Sequence, residues 1–157
     1  MIVYRCLNNK FLADPLSPIG AMSLGGRFNS VGIPVVYTAE HRAMAIFEIL
    51  TRLPIDTIIK TYSVVPIEVP DTPPFIISPW GDGWQDDVVK CLELGDEALS
   101  DKNNLLIQVP SALLNNCYNY LINPQNPEFH TKIKAHDAEP IIFDERIINN
   151  MVGGSTL

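Results

Sequence analysis

The chain is short of several things, and each shortage closes off a class of function. Its 157 residues include three cysteines, Cys6, Cys91 and Cys117, an odd and widely spaced set with no Cys-x-x-Cys pair. Neither a disulfide framework nor a zinc site is indicated, so no metal is expected, and the thiols read as buried and reduced in a cytoplasmic protein. Basic residues number 11 against 18 acidic ones, a net charge of −7. Duplex binding relies on Lys and Arg to neutralise phosphates, so direct nucleic-acid binding is disfavoured as the main activity; a small anion held by one or two arginines is not. No apolar run approaches the ~20 residues of a membrane helix. The opening MIVYRCLNNK does not have the pattern of a signal peptide. No Gly-x-Gly-x-x-Gly occurs, which argues against a Rossmann dinucleotide site. His41, His130 and His136 stand in no recognisable Ser-His-Asp order.

What is present fits one domain with a sizeable core: 46% hydrophobic and 18% charged residues, without internal repeats. Met1 to Cys6 reads as a strand and Asn8 to Leu24 as a long loop. Pro34 to Thr38 reads as a short strand. Ala39 to Leu53 reads as an amphipathic helix with Thr38 as its N-cap, ended by Pro54. Asp56 to Val69, rich in Ile, Val, Thr and Tyr, predicts one strand or two broken ones, limited by Pro66 and Pro70. Asp71 to Gly83 is a loop with Trp80 and Trp84 near its end. Gln85 to Leu94 predicts a helix stopped by Gly95. Strands follow at Leu105–Val109 and Asn119–Ile122, with further candidates at 132–136 and 141–143. Residues 149–157 show no pattern and read as a frayed tail.

The stretch Gly25-Gly26-Arg27-Phe28-Asn29 stands out. Paired glycines permit a tight turn or a close approach to a ligand, and a cation follows them directly. Tyr37 ends the next strand and Glu48 lies at the border of the apolar face of the next helix. A guanidinium on a glycine turn, a phenol at a strand end and a carboxylate on a helix suit a charged, sugar-containing ligand. Each also has a plainer reading. Arg5 can be an edge charge that discourages strand pairing. Glu48 can pair with Arg52 at i,i+4, for about 0.3–0.5 kcal/mol. Ser111 can be a turn hydroxyl after Pro110, and Asn123 an Asn-Pro turn former.

The order GGRFN, PVVYTAEHRAMAIFEIL, VPSALLNNCYNYLINPQNPEF and IIFDERI resembles the RES domain family, from Tyr4-Arg5 to about Ile147. The family's arginine, glutamate and serine match Arg27, Glu48 and Ser111. The chain departs from the family's usual tryptophan at Phe28 and its frequent histidine at Asn126. The resemblance implies a single α+β domain over residues 1–148, a mixed β-sheet with flanking helices, similar to ADP-ribosyltransferase toxins. It further implies a toxin of a bacterial toxin–antitoxin pair with an Xre-type antitoxin as partner, in which the toxin can be a homodimer. The implied enzyme degrades NAD as a glycohydrolase or phosphorylase; a mono-ADP-ribosyltransferase is the alternative, and an inactive RES-like binding module is the third reading. NAD is then a consumed substrate, with no cofactor. In that scheme Glu48 steadies the oxocarbenium-like ribosyl group. Arg27 holds pyrophosphate or ribose oxygens with Arg5 in support. Tyr37 stacks on nicotinamide or bonds to a ribose, and Ser111 and Asn123 complete the substrate contacts.

Overall fold

The computed structural model describes residues 1–78 and 81–153, so Pro79, Trp80 and residues 154–157 lie outside the described residues. In chain order the elements are β1 (Ile2–Asn8), a 3-10 turn (Asn9–Phe11), α1 (Ile19–Leu24), β2 (Val36–Ala39), α2 (Arg42–Leu50) and α3 (Ile55–Thr61). They continue with β3 (Tyr62–Glu68), β4 (Phe75–Ile76), a second 3-10 turn (Trp84–Asp86), α4 (Val88–Ser100), β5 (Leu106–Pro110) and β6 (Tyr118–Ile122). The last are α5 (Phe129–Lys132), β7 (Lys134–Ala135), β8 (Glu139–Pro140) and α6 (Glu145–Gly153).

Among the described residues the strands form one sheet in the order β4-β5-β6-β2-β1-β3-β7, with β8 also on β3. Only β4 and β5 run parallel, so the sheet is mixed and the molecule is a single α+β domain, as the sequence implied. One face packs Val3, Val36, Val65, Ile67, Leu106 and Ile122 against Phe129 and Ile133. On the other, Ile107, Val109 and Leu121 meet α4 through Cys91, Ala98 and Leu99, with Phe28 and Trp84 beside them. Further along that face Ala39 meets Met44 and Ala45 of α2.

Several expectations are corrected. Thr38 does not cap α2: it lies in β2 and its Oγ1 donates to the Tyr120 carbonyl at 2.8 Å, while His41 holds the N-cap position. The run from Asp56 is not strand at first. Pro54 fixes an N-terminus, Asp56 favours the helix dipole, and Ile55 and Ile58 bury on one side of α3. Tertiary burial there overrides β-branched propensity. β3 then runs through Pro66 to Glu68. The Pro66 carbonyl accepts from His136 N at 2.9 Å, so the proline nitrogen faces the gap between β7 and β8, where no donor is needed. Two presumed loops contain elements, namely α1 and β4. The strand candidates near the end are short, and 141–143 is not strand. Residues 149–153, expected as tail, belong to α6.

Gly95 does not stop α4. It sits inside the helix because a Cβ there would lie 2.0 Å from the Phe28 carbonyl oxygen. The glycine is a point of contact between the helix and the turn that carries Arg27. Gly95→Ala is expected to cost about 2 kcal/mol or more, as overpacking against rigid backbone does. For a chain of this size that lowers Tm by about 4–8 °C in a thermal melt.

Candidate active site

The site begins with a fault in the sheet. β1 is registered with β3 along its whole length, Ile2 to Asn8, but with β2 only at Tyr4–Ala39. Beyond that pair the strands part, and Arg5, Cys6 and Leu7 on one side face Tyr37 and Thr38 on the other across a cleft of about 440 Å³. α1 contributes Gly20, Ala21 and Leu24 to its wall, α2 contributes Ala45, Glu48 and Ile49, and β6 contributes Asn119. The size is in the range of small-molecule sites.

Arg27 stands on a turn closed by the Gly26 amide donating to the Asn29 carbonyl at 2.9 Å. Gly25 has φ of 70°, the left-handed region that glycine enters freely. Gly26 is needed for a different reason: a Cβ there would lie 2.6 Å from the Tyr37 hydroxyl. That hydroxyl accepts from Phe28 N at 3.0 Å and donates to Asn29 Oδ1 at 2.9 Å. Fully buried Asn29 donates in turn to the Ala21 and Ile33 carbonyls, at 2.9 and 3.0 Å. Asp96 of α4 accepts from Ser30 N at 2.8 Å and Ser30 Oγ at 2.6 Å. The turn is therefore bonded on every side, while its Phe28 ring packs into the core against Trp84.

The structure brings Arg5, Arg27, Tyr37 and Glu48 to one cleft. Arg27 Nη1 donates to the Gln85 carbonyl. Arg5 Nη1 donates to the carbonyls of Pro15 and Ser17, at 2.7 and 3.1 Å, which fastens the 12–18 segment to β1. Burial lowers the Arg5 pKa to about 10, with Asp14 opposing, so the group stays protonated at neutral pH. Burial also pushes Tyr37 up to about 12, so its phenol remains a neutral hydrogen-bonding group. Cys6, at the cleft wall, is pushed up to about 12 by burial, with Arg42 opposing. The three thiols are free; Cys91 is buried, and Cys6 and Cys117 are partly buried.

Two expected contacts do not line the cleft. Asn123 is fully buried; its Nδ2 donates to the Leu99 carbonyl at 2.9 Å and its Oδ1 accepts from Gln125 N at 3.0 Å. It joins the end of β6 to the end of α4 and does not line the cleft. Ser111 is also buried, its Oγ accepting from Leu113 N at 3.1 Å and Leu114 N at 3.4 Å. It shapes a turn whose neighbours Pro110 and Ala112 do line the cleft. Asn126 likewise serves backbone, donating to the Lys102 carbonyl at 2.8 Å.

Glu48 is not in an ion pair with Arg52 among the described residues; its Oε1 accepts instead from Asn119 Nδ2 at 2.8 Å. Sequence reading missed Asn119. The available signal was an asparagine inside an otherwise apolar and aromatic strand, where that residue is disfavoured. Asp96 and the Gln85 carbonyl left no signal, because both meet partners more than 50 residues away in the chain. The cleft thus offers three guanidinium groups, Arg5, Arg27 and Arg52, and one carboxylate, Glu48. Such a site can hold an anionic ligand while placing negative charge at one point within it.

Comparison with known proteins fits this arrangement. The chain is 36% identical over 129 residues to a protein of Pseudomonas putida named Toxin Res, covering 80% of this chain and 89% of the relative. It is 32% identical over 143 residues to a Prs ADP-ribosylating toxin of Sphingobium sp., covering 87% and 88%. Among solved structures, the MbcT–MbcA toxin–antitoxin complex of M. tuberculosis contains a chain that superposes with a TM-score of 0.67 at 17% identity, over 97% of this chain and 88% of that one, which shows a shared fold. The RES domain model matches residues 2–144, and the chain belongs to the RES domain family.

Proposed function

We propose that this chain is the toxin of a bacterial toxin–antitoxin pair and that it consumes NAD by breaking the nicotinamide–ribose bond. The observation that carries the reading is the single cleft holding Arg27 and Glu48 at the parting of β1 and β2, in a chain of this family. Nicotinamide departs with the glycosidic electron pair and is neutral once free, so no strong general acid is required. Positive charge then develops on the ribose, where the Glu48 carboxylate stabilises it. Water or phosphate adds to that carbon and gives up its proton. Arg27 and Arg5, fixed by backbone carbonyls, present their remaining N–H groups to pyrophosphate oxygens. The Tyr37 ring borders the nicotinamide end, while its hydroxyl donor is spent on Asn29.

Transfer of ADP-ribose to a protein is the second reading, favoured by the name of the Sphingobium relative. The same ribosyl cation can be captured by a side chain in place of water. The toxin–antitoxin neighbour supports an antitoxin partner, and an Xre-type one would leave DNA contact to the antitoxin. Expression of the chain alone is expected to arrest growth, and a co-expressed antitoxin from the same locus to relieve it.

Purified protein incubated with NAD distinguishes the readings. Free ADP-ribose marks hydrolysis, ADP-ribose 1″-phosphate marks phosphorolysis, and label retained on protein marks transfer. Glu48→Gln is expected to lower turnover by about 10²–10³-fold, as loss of one electrostatic partner of the transition state does. Absence of turnover by the parent in all three assays would leave only the binding-module reading. Tyr37→Phe removes a bond to Phe28 N and a bond to Asn29, at a cost of about 1–3 kcal/mol from the partners left unpaired. Its melt is expected to show a lower Tm, and its NAD turnover to fall because the Arg27 turn loosens.

A further inference from the structure

The geometry points to Asn119 as a positioning residue that fixes the Glu48 carboxylate toward the cleft, a role that rests on the NAD-cleaving reading above. Asn119 lies in β6, opposite Ala39 of β2 and Val109 of β5, on the sheet face that looks at α2 and α4. Its Nδ2 donates to Glu48 Oε1 at 2.8 Å. Its Oδ1 is buried and has no hydrogen-bond partner among the described residues. The amide cannot be turned round, because a carboxylate only accepts, and a reversed amide would set two acceptors face to face.

A buried acceptor left without a donor is destabilising. An apolar side chain would fill the same place on the sheet without that cost. Asn119 is therefore a poor choice for packing, and the one bond it makes is to the carboxylate of the cleft. Such local conflict between stability and placement is characteristic of functional sites. α2 sets the backbone of Glu48, but a glutamate has several rotamers, and Arg52 one turn on does not restrain it. The Asn119 amide selects one of them. The other titratable groups of the cleft are Tyr4, Arg5 and Cys6 on β1, Arg27 on the turn, Tyr37 on β2 and Arg52 after α2. None of these has a hydrogen bond to Glu48 among the described residues.

The test compares Asn119→Ala and Asn119→Leu with the parent in thermal melts and in NAD turnover, leucine being the control for volume. Both variants are expected to lose about 10–100-fold in kcat, the range found when a partner orienting a functional ligand is removed. KM should stay within about threefold, since substrate contacts remain. At least the leucine variant should melt at or above the parent, because the unpartnered oxygen is gone. In a Glu48→Gln background the Asn119 substitutions should add almost nothing, since the residue acts through Glu48. Unchanged kcat in both variants, or full additivity with Glu48→Gln, overturns the assignment. A Tm lowered in both variants overturns it too, by marking Asn119 as a structural residue. A parent that leaves NAD untouched sinks the functional reading and this role with it, whereas a Tm lowered in both variants beside an active parent overturns the role alone.

Discussion

Strands β1 and β2 share the pair Tyr4–Ala39 and then separate, and most of what is distinctive in this molecule follows from that separation. A closed antiparallel ladder between them would occupy the space with main-chain hydrogen bonds. Instead, the facing main-chain groups near Arg5 to Leu7 and Val36 to Thr38 have no partner strand among the described residues, although β1 is fully paired to β3 and β2 to β6 on their other sides. Backbone polar groups left open in this way must meet water or a ligand. The gap is held apart from both directions. Arg5 ties β1 to the 12–18 segment, and Tyr37 ties β2 to the glycine turn. These two ties belong to the fold itself.

Two close approaches that only glycine allows keep the cation in place. Gly26 lets the Tyr37 hydroxyl approach the turn, and Gly95 lets α4 approach the Phe28 carbonyl. With the Asp96 bonds to Ser30, these fix the backbone on both sides of Arg27, whose side chain is then fastened to the Gln85 carbonyl. A guanidinium held this way has little rotamer freedom left to lose when an anion arrives. The arrangement resembles preorganised electrostatic sites, where dipoles and charges are positioned before the reaction.

The sequence disclosed the parts of the site that depend on local rules. Paired glycines before an arginine announced a turn, and the turn is there because Gly25 takes a positive φ and Gly26 has no room for a Cβ. The 3.6-residue period of α2 placed Glu48 at a boundary, and it does border the cleft. Long-range packing stayed hidden. Gly95 carries the usual mark of a helix stop, but the Phe28 carbonyl packed against it explains why a glycine stands inside a helix that runs on to Ser100. Residues 55–61 have the β-branched composition of a strand, yet Pro54 and the burial of Ile55 and Ile58 make them helix. Ser111 and Asn123 gave no sign in the sequence of the backbone groups they bond in the fold, because those partners are set by turns and by the end of α4.

Charge arrangement gives the cleft its chemical bias. The protein as a whole is acidic, at −7, yet the charged groups lining the cleft are three arginines and one glutamate. A site that only bound an anion would gain nothing from a carboxylate, which would repel the ligand. A site that only stabilised a cation would gain nothing from the arginines. The two signs are useful together when one molecule carries fixed negative charge at one end and develops positive charge at another, as a pyridine dinucleotide does when its glycosidic bond breaks. Arg5 and Arg27 are anchored to carbonyls and Glu48 to an amide, so each sign is held by its own neutral partner, and the cleft does not collapse into an ion pair. Opposite charges kept apart in a small, partly desolvated space interact with a substrate more strongly than they would once neutralised against each other.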